Sequence, residues 1–250
     1  MKKRIKKMLW KVHSMLPRKL SHQLSLLYFA VRPRDSRKVF TSLYVTNAWG
    51  EEETVSGDGS TLKYTESLRS ALPALLREHS VSRFLDAPCG DYNWFRYVER
   101  EPRFLYVGAD VVPELIERNQ ALFGTPDTRF IELDIIKGPL PDADIWMCRD
   151  CLFHLSNRDI FHALANLLGS NIPLFLSTNH IDCFKNIDIV TGGFRLLNLT
   201  LEPFSLGPPI AEIEDWIEGQ PKRTLALWKT KDLAIALANN RSMPRRPTKA

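Results

Sequence analysis

Residues 84–94 read Phe-Leu-Asp-Ala-Pro-Cys-Gly-Asp-Tyr-Asn-Trp, and no other segment narrows the choice of fold as much. Phe84 and Leu85 look like the end of a buried strand. Asp86 stands where that strand stops. Pro88, Cys89 and Gly90 make a tight turn, and an amphipathic stretch opens at Tyr92. A strand, a glycine turn and a helix start are how a doubly wound sheet receives a nucleotide-like ligand. A second acid, Asp110, closes the next apolar run, Phe-Leu-Tyr-Val-Gly-Ala-Asp. An acid about 20 residues past such a turn is well placed to accept hydrogen bonds from ribose hydroxyls.

The turn has one glycine where a dinucleotide fingerprint has three, so nothing else in it lets a pyrophosphate approach the backbone. This points to an adenosyl ligand without phosphates, S-adenosylmethionine before NAD.

The chain of 250 residues is long enough for one α/β domain. Its net charge of +5 hides an asymmetry. Residues 1–34 carry ten Lys or Arg and no acid, which leaves 24 basic and 29 acidic residues for positions 35–250. The basicity therefore belongs to an N-terminal arm, and nucleic acid is not an expected partner of the rest. In the arm, Ile5, Met8, Leu9, Val12 and Leu16 share one helical face, and Leu20 to Val31 resume an apolar face after Pro17. Such an arm can lie on an anionic membrane surface, pack on the domain, or serve as a targeting segment. No apolar run reaches the roughly 18 residues needed to span a bilayer. The four cysteines, Cys89, Cys148, Cys151 and Cys183, sit in or beside apparent strand ends. That pattern suits free thiols in a reducing, cytoplasmic setting.

The expected divisions are an arm at 1–39, a domain at 40–235 and a basic tail at 236–250. Within the domain, 40–65 reads as a loop-rich approach and 65–79 as a helix. Apolar runs at 82–86, 104–110, 128–133, 144–148 and 173–177 alternate with helical stretches at 94–100, 112–123 and 157–170, with a short helical piece near 181–187. This alternation predicts a parallel sheet covered on both faces. Residues 193–204 and 223–230 read as an antiparallel pair at one sheet edge, with no helix of normal length after the second.

These segments resemble class I S-adenosylmethionine-dependent methyltransferases, and within them a mostly bacterial, largely uncharacterised group. The matching blocks are Trp49-Gly50 with Ser-Gly-Asp-Gly-Ser, then Leu-Asp-Ala-Pro-Cys-Gly-Asp-Tyr-Asn-Trp, then Tyr-Val-Gly-Ala-Asp-Val-Val. Cys-Arg-Asp-Cys-Leu-Phe-His-Leu-Ser at 148–156, Asn-Ile-Asp-Ile-Val-Thr-Gly-Gly-Phe-Arg at 186–195 and Leu-Ala-Leu-Trp at 225–228 follow in order. The resemblance implies a Rossmann-like, doubly wound, mostly parallel seven-stranded sheet with an antiparallel edge strand. It implies that Asp86, Pro88 and Gly90 lie under the methionine end of the cofactor, that Asp110 holds the ribose, and that Asp134 faces the adenine amino group. The usual Gly-x-Gly is here Pro-Cys-Gly, so Gly90 alone carries the close approach.

Further site residues follow from position. Asp150 and His154 lie after the fourth strand, where loops face the ligand crevice. His154 can serve as a base near neutral pH and Asp150 can orient it or bind the acceptor. The plainer readings are a helix cap for Asp150 and a satisfied buried imidazole for His154. Trp49, Gly57 and Ser60 form either a lid over the cofactor or a surface loop. Arg195 binds an anionic acceptor group or makes a salt bridge. Cys148, Cys151 and His154 have ligand-like spacing, but strand geometry opposes their convergence on zinc, and no metal is expected. The reading is methyl transfer to an oxygen of a saccharide, lipid-linked or small-molecule acceptor, with a non-catalytic adenosyl-binding module as the alternative.

Overall fold

The computed structural model describes residues 35–238. The arm at 1–34 and the tail from 239 lie outside the described residues. Seven strands form one sheet: β1 (Arg83–Asp86), β2 (Leu105–Asp110), β3 (Thr128–Glu132), β4 (Ile145–Cys148), β5 (Leu174–His180), β6 (Ala211–Glu214) and β7 (Arg223–Lys229). Their order is β3-β2-β1-β4-β5-β7-β6. The first five are parallel, and β7 runs antiparallel to both β5 and β6. This is the doubly wound sheet with an antiparallel edge that the sequence predicts.

Each strand sends alternate residues to opposite faces. The register pairs Leu85 with Trp146, Trp146 with Phe175 and Phe175 with Trp228. This row packs under α4 (Asn157–Leu168) and α5 (Thr230–Ala238), through Ile160, Leu164, Leu233 and Leu237. The offset row, Phe84, Ile145 and Leu174, faces α2 (Glu66–Glu78) and its Leu68, Leu72, Leu75 and Leu76. β4 and β5 are buried along their whole length, so they read as unbroken apolar runs rather than alternating ones. The helices carry their own start signals. Pro113 opens α3 (Pro113–Phe123), where its missing N–H costs nothing, and the Ser156 hydroxyl accepts from the Asp159 N–H at the start of α4.

Several elements depart from the expectations. The loop-rich approach begins with a helix, α1 (Ser36–Val45), which spans the boundary drawn at residue 39. The stretch 94–100 holds only a 3₁₀ turn, Phe95–Tyr97. Trp94 and Phe95 are buried in an aromatic cluster, and Pro102 disfavours helix in the residue before it. No helix forms near 181–187. Residues 193–204 are not a strand either. Leu197, Leu199 and Phe204 enter the core from irregular backbone. Side chains satisfy that backbone instead: Asn179 accepts from the Leu199 N–H at 2.7 Å and Asn186 from the Asn198 N–H at 2.9 Å. The true partner of β7 is the short β6, where Ile213 alone is buried. α5 then follows β7, where no helix was expected, and spans the boundary drawn at residue 235.

Candidate functional site

The strand order reverses between β1 and β4, and the crevice above their carboxyl ends holds a cavity of about 390 Å3. Asp86, Pro88, Gly90, Asp110 and Asp134 all line it, as do Trp49, Gly57, Asp150 and His154. The sheet itself sets the acids: Asp86 ends β1, Asp110 ends β2 and Asp134 lies just beyond β3.

The turn after β1 is pinned on both sides. The Ala87 N–H donates to the Met147 carbonyl at 3.0 Å and the Cys89 N–H to the Ala109 carbonyl at 2.8 Å. Gly90 has φ 55°, and a Cβ there would strike the Ser56 hydroxyl. Both its backbone and its surroundings therefore select glycine. Its N–H donates to Asp110 Oδ2 at 3.3 Å, and its carbonyl accepts from Asn119 on α3 at 2.7 Å.

Asp86 and Asp110 are 2% and 8% exposed. Burial pushes Asp86 up to about 8, against the Tyr106 hydroxyl that donates to it at 2.7 Å. Burial also raises Asp110 to about 6, partly countered by N–H groups of Val112 and Gly90. Each acid therefore keeps lone pairs facing the cavity without an ion-pair partner, although the charge of Arg149 on the same cavity wall draws Asp86 back down in part. Asp134 is more occupied: Ser36 of α1 donates to it at 2.6 Å, Lys137 lies at 3.1 Å and the Ile136 N–H donates at 3.0 Å.

A loop at 53–61 closes over the turn. Asp91 accepts from the Thr54 hydroxyl at 2.8 Å, the Val55 N–H at 3.0 Å and the Ser56 hydroxyl at 3.0 Å. Its own N–H returns to Ser56 at 3.0 Å. Gly57, at φ 88°, lets this loop pass Trp49, whose Cβ would lie 3.2 Å from an added side chain. The Trp49 ring sits 5.6 Å from that of His154.

His154 lies in a 3₁₀ turn, Leu152–His154, after β4. Its Nδ1–H donates to the Gly193 carbonyl at 2.7 Å, since a carbonyl only accepts. In the neutral ring the lone pair is then on Nε2. The orientation expected from Asp150 thus comes from Gly193 instead. Asp150 belongs to a buried charge cluster. It meets Arg223 at 3.0 Å, Arg149 at 3.3 Å and the Thr178 hydroxyl at 3.2 Å. Burial raises its pKa, but the two guanidiniums outweigh that and hold it at about 2. Arg149 also donates to Asp215 at 2.8 Å and to the Gly59 carbonyl at 2.8 Å, which joins the loop to β4 and to the end of β6. Tyr64 lies beneath both guanidiniums, and burial lifts its phenol to about 12. His180, held down to about 4 by burial and by Arg223, is neutral.

Arg195 does not line the cavity. It is 3% exposed and donates to the carbonyls of Ile187 at 2.6 Å and Leu155 at 3.0 Å. The expected acceptor contact is replaced by a clamp between the 181–194 loop and the turn bearing His154. The sequence reading passed over Asp91, Asp215, Arg223 and Tyr64. Asp91 lay inside the opening motif, but its partners, 35 to 37 residues upstream, carry no pattern. Arg149 stood beside Asp150 in the Cys-Arg-Asp-Cys block, and its charge was the available signal.

No protein-family model matches this chain, and no curated protein matches it in sequence. Solved structures do. Magnesium protoporphyrin IX methyltransferase from Synechocystis PCC 6803, with bound S-adenosylmethionine, aligns over 78% of this chain and 97% of its own, at TM-score 0.55 and 12% identity. PigF, with S-adenosylhomocysteine, aligns over 85% of this chain and 69% of its own, at TM-score 0.57 and 14% identity. The fold is that of the class I S-adenosylmethionine-dependent methyltransferases. Human N-acetylserotonin methyltransferase aligns over 77% of this chain at TM-score 0.51 and 15% identity, and this chain spans only 59% of that protein's length.

The Asp91 contacts make it the latch of the 53–61 loop. Asp91→Ala removes a carboxylate from three donors and should cost about 2–4 kcal/mol in urea unfolding. Limited proteolysis should then cut within residues 54–61 first. An unchanged unfolding midpoint and cleavage pattern would contradict the latch.

Proposed function

We propose that the protein is an S-adenosylmethionine-dependent methyltransferase, with the cofactor in the cavity above β1, β2 and β3. One observation carries the reading: buried acids at the ends of consecutive parallel strands face one cavity around a glycine turn that admits no side chain. The residues suit the group. Asp86, buried and in no ion pair among the described residues, fits the ammonium of the methionine end. Asp110 fits the two ribose hydroxyls. Asp134 fits the adenine amino group, sharing its oxygens with Ser36 and Lys137. Pro88 and Gly90 shape the floor, and Trp49 and Gly57 belong to the covering loop.

Bound there, S-adenosylmethionine supplies a methyl group already activated on a sulfonium. The protein's share is to align the acceptor and take its proton. His154 suits the second task, because Gly193 fixes the tautomer that leaves a lone pair on Nε2. Asp150, held ionised at about 2, is too weak a base and instead shapes the polar wall with Arg149 and Arg223. The same cavity is also lined by the apolar Trp49, Phe153 and Phe194. This pairing of polar and apolar walls supports an amphiphilic hydroxyl acceptor, in the saccharide or lipid-linked class. No helix among the described residues is long and apolar enough to cross a membrane. The four cysteines are free and buried, which favours a reducing, cytoplasmic setting, and the ten basic residues without an acid at 1–34 favour peripheral contact with an anionic membrane.

Calorimetric titration tests the cofactor reading. Asp110→Ala should weaken S-adenosylmethionine binding about a hundredfold or more, because two hydrogen bonds to a carboxylate are lost. The raised acids add a pH signature. Empty, Asp86 titrates near 8 and Asp110 near 6, and a bound ammonium and ribose favour their ionised forms. Affinity should therefore rise with pH between about 6 and 8, and binding at pH 7 should release a proton, visible as a buffer-dependent heat. Equal affinity of parent and variant, with no proton release, would reject both assignments.

For His154→Ala, cofactor affinity should stay nearly unchanged while turnover of an identified hydroxyl acceptor falls by about 10²–10⁴. Turnover equal to the parent's across the pH range would make His154 a packing residue only.

A further inference from the structure

His180 ends β5, lines the same cavity and is 2% exposed. Its backbone N–H donates to the Leu197 carbonyl at 2.8 Å. Its Nδ1 lies 3.3 Å from the Leu197 nitrogen and 3.3 Å from the Leu197 carbonyl oxygen. The two contacts are not equivalent. The carbonyl already has a donor, whereas the N–H of the fully buried Leu197 has no other acceptor among the described residues. A buried N–H seldom goes unpaired. Nδ1 therefore carries the lone pair and accepts from Leu197, which puts the ring proton on Nε2. Burial and the charge of Arg223 keep the ring neutral. Among the described residues no acceptor meets that Nε2–H.

His154 is set the other way round. The Gly193 carbonyl takes its Nδ1–H, so its lone pair is on Nε2. Both imidazoles pack on the Phe153 ring, at 4.5 Å for His154 and 5.2 Å for His180. The cavity is thus lined by two neighbouring histidines in opposite tautomers, each fixed by backbone. The sheet keeps His180 away from the cofactor acids. β5 is separated from β1 by β4, roughly 10 Å at ordinary strand spacing, on the side away from β2 and β3. In the β5–β7 register His180 stands opposite Arg223, the partner of Asp150.

We infer that the His180 Nε2–H binds a second oxygen of the methyl acceptor, beside the hydroxyl that His154 serves, and that this restricts the acceptor to a saccharide. The inference rests on the methyltransferase reading and narrows its acceptor. An alcohol with one oxygen, such as the end of a lipid chain, leaves one of the two imidazoles without its partner. A site built around such hydrogen bonds rejects a ligand that cannot complete them. A saccharide ring carries oxygens around its edge and C–H groups on its faces. The edge suits the two imidazoles, and the faces suit Trp49 and Phe194 on the same cavity.

Nitrogen-15 histidine spectra of the full chain test the tautomers. His180 should carry its proton on Nε2 and His154 on Nδ1, with His180→Asn and His154→Ala identifying the signals. A proton on Nδ1 of His180 overturns the inference. Titration with methyl glucoside, methyl galactoside, methyl mannoside and cyclohexanol, with S-adenosylhomocysteine present, tests the acceptor class. Cyclohexanol has a six-membered ring and one oxygen. At least one glycoside should bind about tenfold or more tightly than cyclohexanol and move the His180 Nε2–H signal downfield. Cyclohexanol binding as tightly as every glycoside overturns the inference. In His180→Asn the new amide oxygen can replace Nδ1 at Leu197, but no donor replaces Nε2–H, whereas Gln restores a donor there. The Asn variant should bind the preferred glycoside about tenfold more weakly and the Gln variant within about threefold of the parent, both melting near it. Equal binding by the Asn variant overturns the contact. Calorimetry should give all three proteins the same S-adenosylhomocysteine affinity, and a loss in His180→Asn would place His180 at the cofactor instead. A parent that does not bind S-adenosylhomocysteine rejects the methyltransferase reading and this inference with it. A parent that binds it without preferring a glycoside rejects this inference alone.

Discussion

The reversal of strand order between β1 and β4 is the constraint on which the site depends. Neighbouring strands whose chains leave in opposite directions cannot cover the gap between them, so a crevice opens above their carboxyl ends. The sheet then fixes what faces that crevice. Backbone bonds from Ala87 to β4 and from Cys89 to β2 hold the glycine turn in the gap. β2, paired with β1 in register, brings Asp110 within hydrogen-bond reach of Gly90. The cost is two carboxyl groups buried without an ion-pair partner, and burial raises both.

The opposite end of the cavity is held by charge. Arg149 and Arg223 meet Asp150 and Asp215 in a balanced cluster that is almost wholly buried. Removing one member of such a cluster leaves a partner buried and unpaired, at about 3–5 kcal/mol. Through Gly59 the cluster also holds the 53–61 loop, whose other end Asp91 latches. The covering loop is therefore fastened twice, by the Arg149 guanidinium at Gly59 and by the Asp91 carboxylate at residues 54–56.

What the sequence made legible was whatever rests on local pattern. Strand ends at Asp86 and Asp110, the glycine turn and the amphipathic α2, α3 and α4 all announce themselves within a dozen residues. The site acids were readable because they close strands. Contacts over long separations were not. Arg149 and Asp215 are 66 residues apart, and no periodicity links them. The error at 193–204 has a physical cause. Leu197 and Leu199 alternate as in a strand, yet only Leu197 meets β5, at the His180 N–H, while the Asn198 and Leu199 N–H groups go to the side chains of Asn186 and Asn179. Of the readings of Arg195, an acceptor contact, a surface charge or a salt bridge, the structure has the salt bridge, to Asp188 at 3.8 Å, and the two carbonyls that also hold the buried guanidinium leave no mark in sequence. β6 was missed because an edge strand with one buried side chain gives almost no signal.

In the proposed function, the acids that follow β1, β2 and β3 define an adenosyl cofactor site. A crystal structure of the protein with S-adenosylhomocysteine tests it most directly. The ribose hydroxyls should be hydrogen-bonded to Asp110, with the amino acid end over the Asp86–Gly90 turn and the adenine between β2 and β3 near Asp134. A ligand bound elsewhere, or in this cavity with its ribose away from Asp110, would contradict it.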